Sequence, residues 1–170
     1  MNAMARIESQ VRTALPSDEE EVMEMCRLLY SENALFEWSE ERVLQQMRKA
    51  LFRQGGILGV IGDTGCIQAM IYMMFAQIWY SDSWHLEELF SYVRSEYRKS
   101  DNAKVLIRFA KRCSDELGLP LSIGVISNDR TEQKVELYRR QFKKPSGAFF
   151  TYNTKWQSPM ATANTSATTA

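Results

Sequence analysis

The spacing of apolar residues changes several times along the chain, and each change marks an element. Ile7, Val11, Thr13 and Leu15 alternate with more polar positions and predict a first strand over about 6–15, closed by Pro16. Val22, Met25, Cys26 and Leu29 then recur every three or four residues, the stripe of a helix over about 18–31. Ser17-Asp-Glu-Glu20 at its start has the form of a capping box, Glu20 reaching back. A second helix opens at Ser39-Glu-Glu, carries Val43, Met47, Ala50 and Leu51 on one side, and stops at Gly55-Gly56. Ile57–Ile61 reads as a strand and Gly62-Asp-Thr-Gly65 as a hairpin-type turn. Cys66–Trp79 is long, apolar and β-prone. After Ser81-Asp-Ser83, the aromatic and β-branched run Trp84–Val93 is long enough for a full strand.

A third helix is drawn by Ala103, Leu106, Ile107, Ala110, Cys113 and Leu117 on one face, ending at Gly118 with Pro120 just beyond. Leu121–Ile126 reads as a short buried strand. Ser127-Asn-Asp129 caps a helix bearing Val135, Tyr138 and Phe142, and Ala148–Tyr152 supplies a closing strand. From Ser158 onward Ser, Thr, Ala and Asn dominate, a composition that cannot bury a core. The expected organisation is a flexible stretch over 1–7, one domain over 8–156 and a low-complexity tail over 157–170.

The chemistry concentrates where the long strand turns into the third helix, at Arg98-Lys-Ser-Asp-Asn-Ala103. A helix N-terminus leaves about four backbone N–H groups unpaired and carries roughly half a positive charge, which favours a docked phosphate. Arg98, Lys99 and Lys104 add cationic side chains at the same point. An ordinary solvated strand-to-helix connection fits the stretch equally well.

This turn resembles the acetyl-CoA-binding motif of the GNAT superfamily of N-acetyltransferases, Gln/Arg-x-x-Gly-x-Gly/Ala at a strand-to-helix turn. Arg98 matches the first position and Ala103 the last, while Asp101 stands where the family has Gly. The element order also matches, and the Arg98–Ala103 turn and Leu137-Tyr-Arg-Arg140 resemble small bacteriophage-borne members. The resemblance implies an α+β (α/β/α-like) fold with a central mixed, mostly antiparallel sheet of six to seven strands and about four flanking helices. It implies acetyl-CoA as co-substrate and an amine, small molecule or protein, as acceptor. Val93, Arg98, Lys99, Ser100, Asp101, Asn102, Ala103, Lys104 and Asn128 would hold the cofactor, with Val93 where the strand splays to admit the thioester arm. Tyr138 would protonate the departing sulfur. Its place beside Val135 and Phe142 suits a packing tyrosine just as well. Gln141-Phe142, where family members have Gly-Phe, is a second departure.

A carboxylate base is available in Glu87 or Glu88, which alternate onto opposite faces of the strand. Glu88 is preferred and Glu87 stays open, since His85, Glu87 and Ser91 could form the polar face; both could also be plain surface charges. Phe36, Trp38, Trp79, Tyr80 and Trp84 offer flat surfaces for an acceptor or for packing.

The totals narrow the partners. Lys plus Arg and Asp plus Glu stand at 21 each, so neither nucleic acid nor an anionic membrane is indicated. Cys26, Cys66 and Cys113 are odd in number and sit in apolar patterns, which reads as buried thiols in a reducing cytoplasm; with the single His85 they make no zinc set. No apolar run reaches membrane-spanning length. A homodimer is compatible with all of this. Two other readings remain beside the enzyme: a catalytically inactive GNAT-fold binding or structural protein, and an unrelated α+β phosphate- or nucleotide-binding module.

Overall fold

The computed structural model describes residues 11–33, 35–127, 131–142 and 144–151. These fall into two compact units, residues 11–25 with 41–124, and residues 26–40 with 125–151. The described chain holds five strands, β1 (Val11–Thr13), β2 (Gly56–Ile61), β3 (Ala69–Gln77), β4 (Trp84–Val93) and β5 (Leu121–Ser122). Four helices accompany them, α1 (Glu19–Asn33), α2 (Glu40–Leu51), α3 (Asn102–Leu117) and α4 (Thr131–Phe142).

The first unit is built on one sheet in the order β1-β2-β3-β4-β5, antiparallel throughout except for the parallel pair β4–β5. Residues opposite one another across an antiparallel pair share a face. Ile57, Gly59 and Ile61 on β2 therefore lie with Met73, Ile71 and Ala69 on β3, and this face packs against Leu106, Phe109, Ala110 and Cys113 of α3. Gly59 is where the helix comes closest, since a Cβ there would sit 2.5 Å from the Phe109 ring. The opposite face carries Leu58, Val60, Met70 and Tyr72, all buried, and Gln46 of α2 donates to the Tyr72 hydroxyl at 2.6 Å.

Several expectations are corrected. Cys66, expected to be buried, is exposed, while Cys26 and Cys113 are buried. A 3-10 turn over Pro16–Asp18 precedes α1, and Asp18 rather than Glu20 reaches back, accepting from the Leu15 N–H at 2.7 Å. The strand foreseen over Leu121–Ile126 is paired only at its first two residues. Ala148–Thr151 forms no strand, and Phe149 and Phe150 are exposed there. The described sheet thus has five strands, not six or seven. The remainder of the first predicted strand, the 1–7 stretch and the 157–170 tail lie outside the described residues. Gly118 ends α3 with φ +64°, the left-handed geometry a glycine C-cap supplies.

In the second unit, Asn33 Oδ1 accepts from the Ser127 hydroxyl at 2.7 Å and from the Lys134 ammonium, which also donates to Ser127 Oγ at 2.8 Å. This joins the end of α1 to α4. No helix among the described residues is long and apolar enough to cross a membrane.

Candidate active site

The parallel pairing of β4 and β5 extends over just two residue pairs, Leu86 with Leu121 and Glu87 with Ser122. Past Glu87, β4 continues for six residues with β3 on one side and no strand on the other among the described residues. Leu86 donates its N–H to Pro120 O at 2.8 Å, on the β5 side, whereas Arg94 donates to Gln68 O at 3.0 Å, on the β3 side. Backbone groups alternate edges along a strand, so Glu88 opens toward the β5 side and, counted back from Arg94, so do Ser91 and Val93. The parity changes between Glu88 and Phe90, where Leu89 is an extra residue opposite the Tyr72/Met73 step.

That bulge also decides the side-chain faces. Glu88 lies opposite Met73 and Ser91 opposite Ile71, so both are on the α3 face, while His85, Glu87 and Phe90 are on the other. Ser91 was expected beside Glu87; the extra residue moves it beside Glu88. Among the described residues Glu88 is one of three buried polar or charged residues, with Asp18 and Asn102. Its Oε2 is buried with no hydrogen-bond partner, although the residue interacts elsewhere.

Beyond Val93 the chain makes a 3-10 turn over Ser95–Tyr97 and enters the predicted anion turn. Several of its amides are already used: Arg98 N–H meets Ser95 O at 3.4 Å, Ser100 N–H meets Tyr97 O at 3.0 Å, and Asn102 N–H meets Ser100 Oγ at 3.2 Å. The first bond of α3 runs from Val105 N–H to Asp101 O at 3.0 Å. The N–H groups of Lys99, Asp101, Ala103 and Lys104 have no acceptor among the described residues. Three of these, Asp101, Ala103 and Lys104, lie at the N-cap and first turn of α3.

The side chains are more committed than the sequence implies. Arg98 donates to Val93 O at 3.2 Å and to the Tyr92 hydroxyl at 3.5 Å, with its guanidinium 5.7 Å from the Tyr92 ring centre, so it clasps the end of β4. Lys104 pairs with Asp101 at 2.8 Å, which holds the Asp101 carboxyl below the usual carboxylate range. Asp101 gives no side-chain cap to α3 and has φ −84°, so the position needs neither a glycine nor a left-handed turn. Lys99 is exposed. Asn102 is anchored instead through its amide Nδ2 to Gln68 Oε1 at 3.3 Å. Sequence spacing carries no sign of that link or of the bulge, because each depends on a residue brought in from a neighbouring strand or its connection.

Val93, Glu88 and the turn from Arg98 to Lys104 all belong to the first unit. Tyr138 belongs to the second, on α4, with its ring edge-on to Phe142 at 6.2 Å. Asn128 lies outside the described residues. Among the described residues no group of His, Cys, Asp and Glu is placed to hold a metal.

No protein-family model and no curated protein matches this chain. Solved structures do. An aminoglycoside antibiotic 6'-N-acetyltransferase from Acinetobacter haemolyticus aligns with 86% of this chain and 98% of its own, TM-score 0.62, at 16% identity. A GNAT family acetyltransferase from Staphylococcus aureus aligns with 84% of this chain and 96% of its own, TM-score 0.58, also at 16% identity. The fold is that of the GNAT acetyltransferases. A third structure, AAC(6')-Iy in complex with the bisubstrate analogue CoA-S-monomethyl-acetylneamine, aligns with 86% of this chain and 97% of its own, TM-score 0.66, at 13% identity. A GNAT fold thus surrounds the open edge of β4 and the donor-rich start of α3.

Proposed function

We propose that the chain transfers an acetyl group from acetyl-CoA to an amine. The observation that carries this reading is the length of β4 past Glu87 that has no strand on its second side among the described residues, leading into the start of α3, where the amides of Asp101, Ala103 and Lys104 have no acceptor among the described residues. The amides of Lys99, Asp101, Ala103 and Lys104 suit the coenzyme's diphosphate, and the Ser91 and Val93 edge suits its amide-bearing arm. When bound, acetyl-CoA supplies an activated carbonyl; the chain's own groups position it and move protons.

In acetyl transfer a C–N bond forms, the C–S bond breaks, the amine loses a proton and the thiolate gains one. Glu88 is the group we assign as base, buried next to the bulge on the face it shares with Ser91. Tyr138 is kept as proton donor on the family resemblance alone, a phenol of ordinary pKa about 10 being able to protonate a thiolate. Structural relatives that are acetyltransferases support the reaction class.

Thermal unfolding with and without acetyl-CoA tests the reading: ligand at a hundred times its Kd stabilises by about 2.7 kcal/mol. No shift at millimolar acetyl-CoA removes it and leaves the inactive binding protein, a reading to which the self-paired Asp101 and Lys104 already lend weight. Given binding, Glu88→Gln is expected to lower kcat about 100-fold with the acetyl-CoA Kd unchanged. Tyr138→Phe is expected to slow transfer more than it weakens binding, and full activity in either variant cancels that residue's role.

A further inference from the structure

The turn between β4 and α3 is tied at both ends to one residue outside it. Gln68, half-buried just before β3, accepts the Arg94 N–H on its backbone carbonyl at 3.0 Å and the Asn102 Nδ2 amide on its side-chain Oε1 at 3.3 Å. Arg94 is the first residue after β4 and Asn102 the first of α3, so residues 95–101 are strung between two bonds to Gln68. Gln68 is itself fixed to β2, donating its N–H to Ile61 O at 2.8 Å. Its neighbour Ile67 strengthens the entry: the Ile67 carbonyl accepts from Arg94 Nε at 2.8 Å, and the Ile67 N–H donates to Glu21 Oε1 of α1 at 2.6 Å.

Bonds inside the turn cannot hold its far end in the same way. Those donated by Tyr97, Arg98 and Ser100 reach back three residues each, which shapes the turn locally without fixing α3 against β4. Apolar packing of α3 onto the sheet begins at Val105 and Leu106. Of residues 101–104 only Asn102 is buried, and the amides without an acceptor among the described residues belong to its neighbours Asp101, Ala103 and Lys104. The direction of those three N–H groups is therefore set where Asn102 is held. A buried amide deprived of its acceptor is costly, so without Gln68 Oε1 this first turn would shift to find another partner. The bond is also neutral on both sides, and it brings no charge to compete for an anion.

We propose that Gln68 and Asn102 are positioning residues for the coenzyme, which keep the amides of Asp101, Ala103 and Lys104 aimed at its diphosphate. This rests on the acetyltransferase reading and adds to it a pair of side chains that act on the ligand only through the backbone they hold. Two consequences distinguish the role from a bond that merely stabilises the fold. Its loss is felt by ligands that carry the diphosphate and not by those that lack it, and the two residues act as one unit.

Calorimetric titration of the full chain with acetyl-CoA and with S-acetylpantetheine, which has no diphosphate, tests it. Gln68→Met keeps the length of the side chain and removes the acceptor. It is expected to weaken acetyl-CoA binding about three- to ten-fold and to leave the affinity for S-acetylpantetheine unchanged. Asn102→Ala is expected to weaken acetyl-CoA binding by a similar factor, and the double variant by no more than either alone. Native acetyl-CoA affinity in Gln68→Met, losses that add in the double variant, or an equal loss for S-acetylpantetheine overturns the proposal. Thermal unfolding shows whether each variant folds; if Asn102→Ala does not, Gln68→Met with the two ligands decides alone. Failure of the native chain to bind acetyl-CoA is a different result, seen without any variant, and defeats the acetyltransferase reading together with this pair's role in it.

Discussion

Asp101 bears on the proposed anion turn through its charge and not through its backbone. Its backbone lies in an ordinary region and its carboxylate does not cap α3, so a glycine there loses no hydrogen bond to the helix. What the carboxylate does is occupy Lys104 and place negative charge beside four donor amides. Asp101→Gly is therefore expected to tighten acetyl-CoA binding about two- to five-fold, in keeping with the small worth of an exposed ion pair. Isothermal titration of the two proteins decides it, and weaker binding in the variant would mean that the Asp101–Lys104 pair orders the turn. Tyr92, Arg98 and Val93 show the converse. Arg98 fits the motif position as a cation, yet its guanidinium is spent on closing the end of β4.

At the scale of elements, the chain spells out its helices and long strands well. β4 occupies the predicted Trp84–Val93, and α3 runs from Asn102 to Leu117 between the polar turn and Gly118. Their apolar periods are set locally, so they are legible. The Leu89 bulge is not, because it arises from pairing with the Tyr72/Met73 step, and it moves Ser91 to the other face. β5 is likewise shorter than its apolar run suggests, since pairing and not composition ends a strand. Gly59 is another cross-element feature. It looks like a weak point in a strand but is the seat of Phe109, with 2.5 Å between the ring and any added Cβ. Gly59→Ala is expected to cost about 1–3 kcal/mol by overpacking, a loss of about 3–10 °C in Tm. Scanning calorimetry reads it, and the double variant Gly59→Ala/Phe109→Leu should recover part of the loss. An unchanged Tm would show that α3 can shift away from the sheet.

For the whole molecule, the sheet and its buried faces explain why the fold was readable while an acceptor is not: repeating apolar patterns encode layers, whereas a substrate is encoded by a few exposed side chains. The same scale governs response to acid. Asp18 is fully buried and joins the start of α1 to β1 and to the β2–β3 turn, accepting from Arg12 at 2.7 and 3.0 Å, the Leu15 N–H at 2.7 Å and the Thr64 hydroxyl at 2.7 Å. Burial by itself would raise the Asp18 carboxyl, but these hydrogen bonds outweigh it and hold it down to about 2 from 3.8. Because the folded pKa is the lower, the unfolded chain takes up the proton first as acid is added. The contribution, about 2 kcal/mol, is complete above about pH 4 and is lost as pH falls toward about 2. Urea unfolding at pH 6 and pH 3 should show the native chain losing about 1 kcal/mol more than Asp18→Asn over that interval. A variant that loses as much as the native chain would place the acid sensitivity in other carboxylates and leave the Arg12–Asp18 junction neutral to pH.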